Sequence, residues 1–155
     1  MLAIAMFAVL AMLIAGYETF VGEQMNVLAT TSTQALALNM AAYRQMVINY
    51  ATAHPAFNGA VQSNQLTPVA NYTPNTMWQN YVQGHTVVVY TTSNVSPEIV
   101  AEISQLALGS VFAGRAFNGK EIPPSKVSIA IPLPAGIAAS IPNGSPVWLA
   151  QVYAS

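Results

Sequence analysis

The chain has 155 residues, room for one modest domain. Only 6% of them are charged, against roughly a quarter in ordinary soluble domains. The net charge is −1 and the bases Arg44, Arg115, Lys120 and Lys126 form no dense stripe, which argues against nucleic-acid binding. Cysteine is absent, so disulfide scaffolds, thiol catalysis and Cys-based zinc sites are excluded. A surface solvated by Asn, Gln, Ser and Thr, with little charge repulsion, suits a protein held in a membrane or an assembly.

Met1 to Tyr17 carries no charged side chain, and Glu18 is the first. A helix over that stretch covers about 25 Å, and Thr19 to Val21 complete the crossing of a hydrocarbon core about 30 Å thick. Residues 1–21 are therefore expected to be a single transmembrane anchor. Tyr17 and Phe20 then lie near an interface, where aromatic rings are favoured. A cleaved secretory signal begins with basic residues and ends in an Ala-x-Ala-like site. Here no base precedes Arg44. A type IV prepilin leader needs a Gly before the cut and a Glu five residues into the mature chain. Cutting after Gly16 or Gly22 supplies neither that spacing nor a long apolar helix beyond it. An uncleaved anchor fits best. The flank after it carries Glu18 and Glu23 and no base until Arg44, so residues 22–155 are expected on the far side of the inner membrane, in the periplasm.

A helical pattern fills about residues 29–53. Ala29, Thr33, Leu36, Met40, Tyr43, Val47 and Tyr50 recur at spacings of four and three, one face of a helix. Gln34, Arg44, Gln45 and Asn49 fall elsewhere and can point away from that face. The stripe packs either on the domain's own sheet or as a seam against a partner. A coiled-coil seam normally has charged flanks, which are missing here. Leu36, Met40, Tyr43, Val47 and Tyr50 are the residues that such an interface would use. His54-Pro55 ends the helix, because a residue before proline avoids the α region.

Residues 56–83 read as loop, with breakers at Asn58-Gly59, Thr67-Pro68 and Thr73-Pro74. Trp78 and Tyr81 near its end are expected to cover the edge of the core. Thr86 to Thr92, β-branched and aromatic, is the clearest strand. Ser96-Pro97 starts a second helix, which Gly109 ends, with Ile99, Ile103 and Leu106 as its buried face. Glu98 and Glu102 lie four apart on its exposed side. Such carboxylates could serve acid–base chemistry, but near a helix N-terminus they are stabilised by the dipole.

Val111–Phe117 and Lys120–Ile122 flank Asn118-Gly119, the best short hairpin signal in the chain. Lys126–Ile131 can be a further strand, confined to an edge by Pro132 and Pro134. A loop through Ile141 to Gly144 leads to the last strand, Val147–Tyr153. Residues 84–155 thus form a sheet-and-helix region. The fold class is α+β: a transmembrane helix continuing into an amphipathic helix, packed on a small, mainly antiparallel sheet with a second helix.

No catalytic constellation emerges. Without Asp or Cys, Ser-His-Asp triads and Cys-His dyads are impossible. No G-x-S-x-G elbow, Walker A loop or G-x-G-x-x-G loop occurs. His54 and His85 lie in no metal-ligand motif. The chain is read as a non-enzyme without catalytic, cofactor or metal residues.

Several segments together resemble one known family. They are Tyr43-Arg44 with Val47 and Tyr50, His54-Pro55-Ala56-Phe57-Asn58-Gly59-Ala60-Val61, the Trp78 region and Val89-Tyr90-Thr91. Leu133-Pro134-Ala135-Gly136-Ile137 and Ile141-Pro142-Asn143-Gly144-Ser145-Pro146-Val147 complete the set. With the apolar start, the layout resembles the PilM family of type IVb pilus biogenesis proteins, found with conjugative thin-pilus systems (not the actin-like protein that shares the name). The resemblance implies a single-pass inner-membrane accessory component of pilus assembly or pilin transport. It implies no enzymatic activity, and partners among other assembly or secretion components, pilin, or further copies of the chain. The alternative is a minor-pilin-like subunit that enters the fibre, since a hydrophobic helix leading into an α+β head is also the pilin plan.

Overall fold

The computed structural model describes residues 32–70, 72–73, 75–124 and 129–153. The expected anchor over 1–21 and the first residues of the long helix lie outside the described residues. Among those described, no helix is long and apolar enough to cross a membrane.

Helix α1 occupies residues 32–53 and stops before Pro55, as the proline predicts. Its end is closed by His54, whose backbone N–H donates to the Tyr50 carbonyl at 3.0 Å. The His54 ring stacks on Tyr50 with centroids 4.2 Å apart, and Phe57 meets Tyr50 edge-on at 5.3 Å. The following segment is less loop-like than its sequence suggests. It holds a short 3₁₀ turn, Ser63–Gln65, and a strand, β1, at Gln79–Gln83. That strand corrects the reading of 56–83 as loop. QNYVQ is mostly amide side chains, which carry little strand propensity, and its pairing with a neighbour decides its state.

Strand β2 spans Thr86–Tyr90 and pairs antiparallel with β1, Gln83 opposite Thr86. Helix α2 spans Glu98–Leu106. Pro97, expected at the first helical position, is the N-cap, and Ser96 stands one residue before it, its carbonyl accepting the Ile99 N–H and its hydroxyl the Glu98 N–H. Ile99, Val100 and Ile103 are buried, whereas Leu106 is 39% exposed and leaves the expected buried face. Leu106 lies in the last turn, beyond the sheet-facing stripe that Ile99 and Ile103 define. Gly109, at φ +71°, ends the turn by donating its N–H to the Ser104 carbonyl.

Strands β3, Ala113–Phe117, and β4, Lys120–Ile122, form the expected hairpin. Asn118 and Gly119 adopt φ +48° and +71°, the left-handed pair that a type I′ turn requires. Strand β5 is only Ile131–Pro132, shorter than the expected 126–131, of which 126–128 lie outside the described residues. A four-residue helix, α3, follows at Ala135–Ala138, and β6 spans Pro146–Gln151.

The sheet order is β1-β2-β6-β3-β4-β5, every pair antiparallel. The last strand therefore lies in the middle, and its neighbours join residues 86–90 and 113–115 to 146–151. Both sheet faces are covered along β2 and β6. On one side Val82, Val87, Val89, Ala113, Trp148 and Ala150 meet α1 and α2. On the other, Val88, Tyr90, Ala116, Val147 and Leu149 meet Leu133, Ile137 and Ile141 from the segment around α3. The runs Val87-Val88-Val89-Tyr90 and Val147-Trp148-Leu149-Ala150 are apolar without alternation, the mark of strands buried on both faces.

The turns are coupled. Asn143 Oδ1 accepts the Asn118 backbone N–H at 2.8 Å, and Gly144 donates to the Ala116 carbonyl at 2.8 Å. Replacing Asn118-Gly119 by Val-Val is expected to destabilise most, because β-branched residues resist positive φ at both positions. Asn143→Ala removes two exposed hydrogen bonds to Asn118, one of them long, and is expected to cost about 1 kcal/mol. Urea unfolding measures both; an unchanged midpoint for Asn143→Ala would show that the second loop does not brace the first.

Candidate functional site: a basic and apolar groove beside helix α2

Helix α1 is held to the sheet by polar contacts as well as by its apolar stripe. Met40, Tyr43 and Val47 are buried in the helix-side core, and Leu36 and Tyr50 pack against it partly buried. The Tyr43 hydroxyl accepts a 2.7 Å bond from Asn80 Nδ2, and Asn80 also bonds the Val61 N–H and carbonyl. Burial pushes the Tyr43 phenol above its ordinary value, with the Asn80 bond working against it. Asn39 Oδ1 accepts from the Trp78 indole at 2.9 Å.

Arg44 departs from the expectation that it points away. Its Nε and Nη2 donate to the Leu149 carbonyl at 3.1 and 2.8 Å, and its guanidinium lies 5.0 Å from the Trp148 ring centroid. Leu149 sits where β3 ends, so its carbonyl would otherwise lack a ladder partner; the fork of Arg44 supplies one. Burial lowers the Arg44 pKa from its ordinary value. A guanidinium so engaged serves the fold. Nothing in the sequence marks this, because a helical arginine off the apolar stripe normally faces water.

The conspicuous opening lies elsewhere. Ala113 belongs to the helix-side core and Ala116 to the opposite one, so Arg115 and Phe117 share the helix-side face of β3. Across the hairpin, Ile122 faces Arg115 and Lys120 faces Phe117. These four form a checkerboard of cation and apolar group. Among the described residues no helix covers this part of the sheet: Arg115, Phe117 and Lys120 are exposed and Ile122 is half-buried. The result is a groove of about 1130 Å³, floored by Arg115 and Ile122. One wall is Val95 and Pro97, just before α2, with Val100 and Ala101 from its first turn. Pro123, Pro124, Ile129 and Ala130 form the other, and Pro142 to Ser145 close one end.

Arg115 is the one charged side chain among the described lining residues. It has no ion pair or hydrogen bond to a described side chain, and no carboxylate is among the described residues that line the groove. Glu98 is exposed on α2 and Glu102 half-buried, and neither lines the groove. Glu121, between Lys120 and Ile122 on β4, turns to the other face. There it is fully buried, its two oxygens have no hydrogen-bond partner among the described residues, and burial raises its pKa to about 7. His54 and His85 are exposed and stack on Tyr50 and Tyr153. No group of three metal-ligating side chains occurs among the described residues.

The structure thus separates two sets of residues. The expected interface residues of α1 lie in or against the core, whereas the groove is built from β3, β4, the first turn of α2 and the loops beside them. The hairpin's alternation was visible as Arg115-x-Phe117 and Lys120-x-Ile122. What was hidden is that α2 stops short of it. The segments that carried the resemblance are largely joints: Asn58 Oδ1 accepts the Gly84 N–H at 2.8 Å, tying the end of α1 to the β1–β2 turn, and Asn143 braces the β3–β4 turn.

Comparison with known proteins bears on this arrangement. A family model described as PilM matches residues 8–149. The fold is similar to a crystal structure of a protein PilM from Escherichia coli B7A, with a TM-score of 0.55 and 20% sequence identity, covering 78% of this chain and 93% of that one. No curated protein matches the chain.

Proposed function

This chain belongs to the PilM family of conjugative-pilus biogenesis proteins, and on that premise we propose that it is an inner-membrane accessory component of pilus assembly or pilin transport. It acts in the periplasm by binding other assembly components, not by catalysis. The observation that carries the reading is the open sheet face beside α2, where apolar and uncharged polar groups surround Arg115, a cation without a partner among the described residues. The apolar run Met1–Tyr17 supports the anchor. A fully apolar span is effectively irreversible in a bilayer, and this one carries no carboxylate to guide transfer into a fibre.

Deleting the gene is expected to abolish or sharply reduce pili, with the protein found in the inner membrane and absent from sheared, purified fibres. Immunoblots of both fractions decide it. Stoichiometric recovery from the fibre would replace this reading by that of a minor-pilin-like subunit.

A further inference from the structure

We propose that the groove beside α2 binds an extended segment of a partner protein that carries a carboxylate, with Arg115 as its ion-pairing anchor. The inference rests on the binding role assigned above to this surface, and names the chemistry of its occupant.

Charge complementarity selects that occupant. Arg115 stands on the groove floor with no described counter-charge, and Lys120 adds a second cation on the same face of the hairpin. The one carboxylate on these two strands, Glu121, is buried on the opposite face and cannot neutralise them. A guanidinium in a partly apolar setting gains most from a carboxylate, which matches its planar fork. Apolar groups flank the cations: Ile122 beside Arg115, Phe117 beside Lys120, and Pro97 and Val100 on the wall, while Thr92, Ser93, Asn94, Asn143 and Ser145 add uncharged polar groups that can bond an occupant's backbone. An occupant must therefore alternate one acidic group with apolar ones, as an extended segment does along a pleated floor. The whole chain has only four Lys and Arg residues, too few to hold a polyanion such as nucleic acid, which needs several phosphates neutralised together.

The test is selection of a random peptide library displayed on phage against the full-length chain held in neutral detergent. The enriched peptides are expected to carry Asp or Glu flanked by apolar residues. Their binding is expected to weaken about tenfold with Arg115→Gln, to recover in part with Arg115→Lys, and to fall as salt rises. Arg115 is exposed, so the variants are expected to melt as the parent does. Enrichment of peptides without carboxylates, no enrichment, or binding indifferent to Arg115→Gln would overturn the proposal. So would Arg115-dependent sedimentation with anionic phospholipid vesicles in the absence of any peptide preference, which would make the ligand a lipid surface. Either failure leaves the pilus role standing, because that role is judged by fractionation and not by peptide binding.

Discussion

Replacing Gly114 with alanine is expected to be among the most damaging single changes in the domain, at a cost of about 3 kcal/mol. A Cβ at Gly114 would overlap Glu121 Oε1 and the carbonyl group of Ile122. A side chain could swing aside, but the Ile122 carbonyl belongs to the backbone next to the β3–β4 ladder and cannot move without breaking the hairpin's register. For a domain of this size the loss lowers the melting temperature by about 10 °C. Gly84→Ala is the control. Gly84 also has a special conformation, φ +58°, yet nothing lies within 4 Å of where a Cβ would stand. Its replacement is expected to cost about 1 kcal/mol, the strain of a left-handed residue alone. Thermal melts of the two variants side by side give the comparison. Equal losses would show that strand β4 does not press on Gly114.

The second large effect is on the pH dependence of stability. Glu121 is fully buried without a described partner, and its carboxyl is raised from the ordinary 4.5 to about 7 by burial. Between those values the folded protein holds a proton that the unfolded chain has lost. Stability is therefore greatest below about pH 4.5, as far as this group is concerned, and falls as pH climbs towards 7. Above 7 the carboxylate is charged in both states and the full penalty applies. The interval between 4.5 and about 7 corresponds to roughly 3 kcal/mol at about 1.4 kcal/mol per pH unit. Glu121→Gln is expected to flatten this slope, gaining about 2 kcal/mol at pH 8 and nothing at pH 4.5. Denaturant midpoints across that range measure it. A variant that loses stability equally at both pH values would mean that Glu121 is charged and paired in the folded protein.

Much of this architecture is legible in the sequence, and the exceptions share a cause. The start and stop of α2, the Asn118-Gly119 hairpin and the end of α1 at His54-Pro55 are local, decided by capping and turn chemistry within a few residues. What escapes is set by partners distant in the chain. Strand β1 exists because the bridge between Gly59 and Val82 on one side and β2 on the other satisfy a run of amides. Arg44 turns inward because the Leu149 carbonyl, 105 residues away, lacks a strand neighbour. The layer around α3 is signalled only by the unbroken apolar runs in β2 and β6, the mark of strands buried on both faces. The groove belongs to the same class. Arg115, Phe117, Lys120 and Ile122 are readable as a hairpin, yet whether a helix covers them depends on where α2 crosses the sheet. The burial of Glu121 follows too, since a carboxylate between Lys120 and Ile122 gives no sign of which face it takes.

The most direct measurement is the number of pili on cells lacking the gene and supplied with either the wild-type chain or Arg115→Glu, at matched amounts of protein in the membrane fraction. Wild type is expected to restore piliation, and Arg115→Glu, which puts a carboxylate on the groove floor where one must dock, is expected to leave the cells with few or none. Full restoration by Arg115→Glu would contradict the assignment of this groove as the surface through which the protein works.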